Sequence, residues 1–248
     1  AIAKDCPLGI HPFRVRTATG ITNLRTFHVG ALPEIVEAEP NTEFTQPQAI
    51  PIGTVVNGVI TNEDADYFVV EAAEGERISV EVEALRLGRT FFDPAVAILD
   101  EQRFELAASD DATLLWQECF CSIRAPQSGK YIIELRETSY RGSDASSYRL
   151  HVGRFPRPMA AFPSGGPPGQ PLEVRWLGDP MGERVETVTL PGARMLEHPL
   201  FASDEGGISP SGVPLRVIDL PNVIETEPNE NRKQPTAGAA PGAFCGIL

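Results

Sequence analysis

The chain has 248 residues, 42% of them hydrophobic, with 22 glycines, 23 prolines and a formal net charge of −13. That apolar share supports a packed core, and the scattered Gly and Pro break helices and favour many short strands. The acidic balance argues against a nucleic-acid partner, because it repels phosphate backbones, and no stretch approaches the ~20 apolar residues of a membrane span.

In chain order, residues 1–30 read as the closing hairpin of a β domain, with Phe13 and Val15 inward, Arg14 and Arg16 outward, then Phe27 and Val29. Further strands are expected at about 55–60, 66–72, 94–99 and 114–123. Ile78, Val80, Val82 and Ala84 alternate with Arg77, Ser79, Glu81 and Glu83. Tyr131, Ile133 and Leu135 form another inward set, and Tyr148, Leu150 and Val152 a third, with Arg149 and His151 facing out. This period-two pattern predicts Ile78, Val80, Val82, Ile98, Tyr131, Ile133, Leu135 and Leu150 as a buried core. Short strands separated by turns over ~115 residues predict an all-β fold, an antiparallel jelly roll or β-sandwich. Arg154 to Pro171 is a Pro/Gly-rich boundary. A small β domain follows, opening on Leu172, Val174 and Trp176 and continuing through Val185–Leu190 and Val213–Leu220.

A repeat organises these pieces. Leu32-Pro33-Glu34-Ile35-Val36-Glu37-Ala38-Glu39-Pro40-Asn41 recurs as Leu220-Pro221-Asn222-Val223-Ile224-Glu225-Thr226-Glu227-Pro228-Asn229, an offset of 188 residues. Gln46, Pro47, Ala49 and Gly58 then fall on Gln234, Pro235, Ala237 and Gly246, and upstream Phe27 and Val29 fall on Leu215 and Val217. One full repeat with parts of two others is the expectation, as in a cut through a larger tandem protein. The divisions that follow are 1–32, 33–153, 154–222 and 223–248.

Pro40 holds Glu39 extended, so Glu37, Glu39 and Asn41 point to one side. Two carboxylates and an amide oxygen in a row are hard ligands suited to Ca²⁺. Asp64 and Asp66 share a face at a strand entrance downstream. If the two segments meet, four carboxylates converge and call for a neutralising cation; if they stay apart, they are a solvated acidic linker beside an acidic turn. Asp93, Asp100, Asp110 and Asp111 form a second acidic set, read as turn formers. Cys119 and Cys121 flank Phe120 and read as small core residues, with a metal role as the alternative. Tyr67 and Tyr140 are the tyrosines expected at the surface.

Residues from about 35 to 153 resemble a bacterial pre-peptidase C-terminal domain. The resemblance is carried by Glu37-Ala38-Glu39-Pro40-Asn41, by Gly58-Val59-Ile60 running into Asp64-Ala65-Asp66-Tyr67-Phe68, by Phe92-Asp93-Pro94, by Ser109-Asp110-Asp111 and by Gly129-Lys130-Tyr131-Ile132-Ile133. It implies a jelly-roll β-sandwich of a secreted or cell-surface protein, whose parent chain can carry a protease domain. It is similar to the collagen-binding domains of clostridial collagenases, where the acidic linker helps hold Ca²⁺. Carried over, the metal residues are Glu37, Glu39, Asn41, Asp64 and Asp66; Thr42 departs from the pattern, where a further Asn or Asp is common. The flanking pieces resemble immunoglobulin-like modules of large bacterial surface proteins, through Arg154-Phe155-Pro156-Arg157-Pro158, Leu177-Gly178-Asp179-Pro180 and the repeat.

No G-x-S-x-G elbow, H-E-x-x-H or Gly-rich phosphate loop occurs, and Ser164 in Phe-Pro-Ser-Gly-Gly reads as a linker serine. A chain without catalytic machinery is therefore expected. It is either an accessory module binding an extracellular polymer, protein or polysaccharide, for a secreted enzyme, or a spacer repeat of a surface protein.

Overall fold

The computed structural model describes residues 2–113 and 115–247. It divides into two compact units, residues 1–156 with 203–210 and residues 157–202 with 211–248.

The first unit begins with a hairpin of β1 (Gly9–Phe13) and β2 (Arg25–Val29), and a two-sheet sandwich follows. One sheet orders β10 (Phe120–Arg124), β7 (Arg77–Glu83), β12 (Ser147–Gly153), β5 (Thr54–Val59) and β3 (Glu34–Val36). The other orders β4 (Gln48–Ala49), β6 (Ala65–Ala72), β11 (Gly129–Glu137), β8 (Pro94–Leu99) and β9 (Glu105–Ser109). Pairing is antiparallel except at one edge of each sheet, where β3 runs parallel to β5 and β4 parallel to β6. Alternate residues of the central strands meet between the sheets, as a period of two requires. Ile78, Val80, Val82, Ile98, Tyr131, Ile133, Leu135 and Leu150 are all buried there, with Cys119 and Cys121 beside them. The all-β sandwich expected from the alternation is the fold observed.

Three local expectations are corrected. The strand placed at 114–123 begins at Phe120; residue 114 lies outside the described residues, and among those described ahead of Phe120 the chain turns back on itself, Ala112 N donating to Glu118 O at 2.8 Å and Leu115 N to Ala112 O at 2.8 Å. Arg149 and His151 do leave the core face, yet both are buried. The β1–β2 hairpin lies over that side of the sheet and brings His28 Nδ1 to 3.4 Å from Glu83 Oε2, with His151 Nε2 at 3.3 Å from the same oxygen. Finally, Phe13 and Val15 are about half exposed instead of inward, since nothing among the described residues covers their face of the hairpin.

The outer face of β7 is a buried polar stripe rather than a wet one. Glu83 takes hydrogen bonds from Arg149, which also donates to Glu34 Oε1 at 2.5 Å. Glu81 and Glu118 share Arg86, whose own N–H adds a 2.7 Å bond to Glu118 Oε1. Ser79 Oγ donates to Phe155 O at 2.8 Å. Buried charge is tolerable only when paired in this way. Burial alone would raise the Glu83 carboxyl, but the neighbouring His151 and His28 rings and the Arg86 charge hold it well below the usual range.

In the second unit, β13 (Ala160–Phe162), β15 (Pro171–Leu177) and β16 (Arg184–Thr189) form one antiparallel sheet. β14 (Gly165–Gly166), β20 (Val213–Val217) and β17 (Met195–Leu200) form the other. Val174, Trp176, Leu190, Leu215 and Val217 share its core. The short β18 (Ser203–Asp204) and β19 (Gly207–Ile208) ladder belongs to the first unit. A parallel pair, β21 (Asn222–Ile224) with β22 (Ala243–Cys245), ends the chain.

Candidate metal centre

The acidic segment Glu37–Asn41 is stitched down along its length. Glu37 N donates to Asn57 O at 3.0 Å, continuing the β3–β5 pairing. Its Oε1 accepts from Val59 N at 2.7 Å. Ala38 N donates to Gln48 Oε1 at 2.8 Å, and Tyr67 N to Asn41 O at 2.9 Å. The segment therefore crosses the end of the sandwich where β6 begins, with Asp64 just ahead of that strand and Asp66 on it.

There Glu39, Asp64 and Asp66 each bring a carboxylate oxygen within 4.8 Å of the others; Glu39 is exposed and both aspartates are buried. Asp64 Oδ2 accepts from Thr61 N at 3.1 Å and Thr61 Oγ1 at 3.2 Å, whereas its buried Oδ1 has no hydrogen-bond partner. The Asn41 side chain, itself buried, directs one end of its amide at Glu39 Oε2 and Asp66 Oδ1. With nitrogen at that end it donates to them at 2.8 and 3.2 Å; with oxygen there, it joins the carboxylates as a further hard ligand.

Glu37 does not enter this group directly. It reaches it through Tyr148, whose hydroxyl lies 2.6 Å from Glu37 Oε2 and 2.5 Å from Asp66 Oδ2. A phenol carries one proton and can donate once, so the second short contact needs a proton from a carboxyl group. Burial first, then the Glu37 and Asp64 charges, push Asp66 up to about 9, against the lowering effect of the Tyr148 bond. Burial, then Asp66 and Glu37, raise Tyr148 itself. In the folded chain Asp66 is thus biased toward its protonated form. The donor set, all oxygen and mostly carboxylate, fits Ca²⁺.

Of the five residues expected here, the structure gathers Glu39, Asn41, Asp64 and Asp66 around one point and sets Glu37 behind Tyr148. Tyr148 itself was read only as a core residue. The signal that could have found it is general: a buried tyrosine hydroxyl needs a polar partner. Tyr67, expected at the surface, is buried on the outer face of the second sheet, because Phe44 packs edge-on against it and its hydroxyl donates to Glu134 at 2.8 Å. Tyr140 remains about half exposed. In the second acidic set, Asp100 Oδ1 accepts from Gln102 N and Phe104 N, both at 2.8 Å, which is a turn-forming role.

The bonds of this segment recur at the offset of 188 residues. Glu225 N donates to Cys245 O at 2.9 Å as Glu37 N does to Asn57 O. Asn229 N donates to Glu227 Oε2 at 2.9 Å as Asn41 N does to Glu39 Oε2 at 3.1 Å. Ile247 N donates to Glu225 Oε1 as Val59 N does to Glu37 Oε1. The register of β21 on β22 repeats that of β3 on β5, residue for residue.

No family model matches the chain, and no curated protein matches it. Among solved structures it is similar to the pre-peptidase C-terminal domain of collagenase from Bacillus anthracis, with 16% identity and a TM-score of 0.34, over 47% of this chain and 99% of that one. It is also similar to PliG of Aeromonas hydrophila, a periplasmic inhibitor of g-type lysozyme, with 12% identity and a TM-score of 0.28, over 48% of this chain and 98% of that one.

Proposed function

We propose that the chain is a non-catalytic, extracytoplasmic binding or accessory module whose first unit is clamped by Ca²⁺ held by Glu39, Asn41, Asp64 and Asp66. Glu37 and Tyr148 support that site from behind. The carrying observation is the buried Asp64 Oδ1, which has no hydrogen-bond partner and shares its surroundings with the oxygens of Glu39 and Asp66. An orphaned buried oxygen of that kind is costly unless a cation or proton meets it. The polymer it binds, protein or polysaccharide, comes from the resemblance alone. The lack of catalysis is supported by where candidate groups are spent: His28 and His151 face Glu83, and Ser164 Oγ donates to Ala161 O at 3.3 Å.

Thermal unfolding tests the metal. A ligand that binds only the folded state stabilises it by about 2.7 kcal/mol at a hundredfold excess over Kd. The melting temperature should rise with millimolar Ca²⁺, fall back with chelator, and respond less to Mg²⁺, which keeps its waters. Glu39→Gln should remove most of the rise. An unchanged melting temperature at millimolar Ca²⁺ defeats the site.

A second reading, a spacer repeat of a surface protein, is favoured by the recurrence of the Glu37–Asn41 bonding pattern at Glu225–Asn229. Under it, the acidic segment is a rigid entry to each successive module.

A further inference from the structure

The offset that relates the two acidic segments also relates two hairpins. Under it, β2 (Arg25–Val29) falls on β20 (Val213–Val217) with identical bounds, and β1 falls on the strand that pairs with β20, β17. The two hairpins differ in what covers them. Leu215 and Val217 are fully buried in one core with Val174 and Trp176 of β15 and with Leu190. Two of the three counterparts lack that cover: Phe27 is 48% exposed where Leu215 is 0%, and Ile2 is 55% exposed where Leu190 is 2%, while Val29, opposite number of Val217, is half-buried. Along the same face of the first hairpin, Phe13 stands opposite Arg25 and is 46% exposed. Exposed apolar side chains at positions that are core elsewhere in the same chain mark a surface made to be covered.

We propose that the Phe13–Phe27–Val29 face of the first hairpin is a docking surface for a three-stranded antiparallel sheet of the β13–β15–β16 kind, brought in cis by another copy of the repeat. The repeat itself names the occupant. In the second unit, the sheet that lies over β20 is made by residues 160–189, and its Val174 and Trp176 are the side chains that meet Leu215 and Val217 in the core. Chain order names the side it comes from as well: β13, β15 and β16 precede β17 and β20 in the second unit, so the occupant belongs on the N-terminal side of the β1–β2 hairpin. This rests on the modular reading above, but not on the metal.

The test compares the full chain with the same chain carrying a copy of residues 157–188 joined ahead of Ala1. In the extended chain the amides of Arg25–Val29 should gain at least tenfold protection from hydrogen exchange, hydrophobic-dye binding should fall, and the added tryptophan should emit as a buried one. Phe27→Asp in the extended chain should reverse all three while the Ca²⁺-induced rise in melting temperature, carried by other residues, stays. The proposal fails if the added segment is digested by protease as an unfolded tail and exchange at β2 is unchanged. It fails equally if the unextended chain dimerises through Phe27, which would make a second copy the occupant. Loss of the Ca²⁺ response with docking intact would count against the metal reading and leave this one standing.

Discussion

The hydroxyl of Tyr148 stands 2.5 Å from Asp66 Oδ2, tying β12, the last strand of the sandwich, to β6. Both groups are buried, and the same hydroxyl reaches Glu37 at 2.6 Å, so one phenol holds two carboxyl groups in place. Tyr148→Phe keeps the ring in the core and removes only that link. The two carboxyl groups then lose a buried partner, and stability should drop by about 1–3 kcal/mol. Urea unfolding of the two proteins in chelator measures the difference; equal midpoints would mean the hydroxyl is dispensable.

Asp66→Asn should act with opposite signs in two buffers. In chelator, it removes a buried carboxyl crowded by Glu37 and Asp64, and stability should rise by on the order of 1 kcal/mol. In millimolar Ca²⁺ it removes a ligand charge, so the rise in melting temperature seen in the parent chain should largely vanish. A variant that melts lower than the parent in both buffers would contradict the crowding argument.

Gly58 offers a steric probe of the same corner. A Cβ there would meet Glu37 Oε2 at 2.2 Å and the Tyr148 ring at 2.3 Å. Gly58→Ala should therefore cost about 1–3 kcal/mol, since the neighbours are packed and cannot yield freely. Gly246 is its counterpart at the offset of 188 residues, where a Cβ would meet Glu225 Oε2 at 2.5 Å. Urea unfolding measures the cost of Gly58→Ala, and a midpoint equal to the parent's would show that this corner yields.

Glu83 should make the first unit sensitive to acid. Its folded value lies below the ordinary 4.5, so its contribution is complete above that pH and is lost as pH falls through the depressed value. Glu83→Gln leaves Arg149 and both histidines facing a neutral group and should cost about 3 kcal/mol at pH 7. Below pH 4 the gap between variant and parent should narrow. Denaturant midpoints at pH 7 and pH 3.5 give the comparison, and a gap that widens in acid would overturn the assignment.

Much of this molecule was legible in its sequence, for a plain reason. Strict alternation in β7, β11 and β12 reports burial between two sheets, and the side chains it marked fill the core. What escaped was whatever depends on distant chain. The two- and three-residue strands β4 and β3 are too short to show a period, and they exist because β6 and β5 offer them edges. Arg149 and His151 look like solvent-facing residues until the β1–β2 hairpin, more than a hundred residues earlier, is laid over them. Spacing put Glu37 in line with Glu39 and Asn41, but the pull of Val59 N and Tyr148 on its carboxylate turns it aside.

The pairing of β3 and β12 on opposite edges of β5 has a consequence for the chain as a string. Glu34 lies beside Val55, and Val152 beside Thr54. Two strand spacings separate such neighbours, roughly 10 Å. The polypeptide thus enters and leaves the whole sandwich at one doorway, like a bead hung from a thread rather than strung on it. Tension applied along the thread would therefore act first at that doorway, unzipping β3 from β5 and loading β12 against both β5 and β7, its two neighbours in the sheet. Cutting the bead out would leave ends close enough to rejoin.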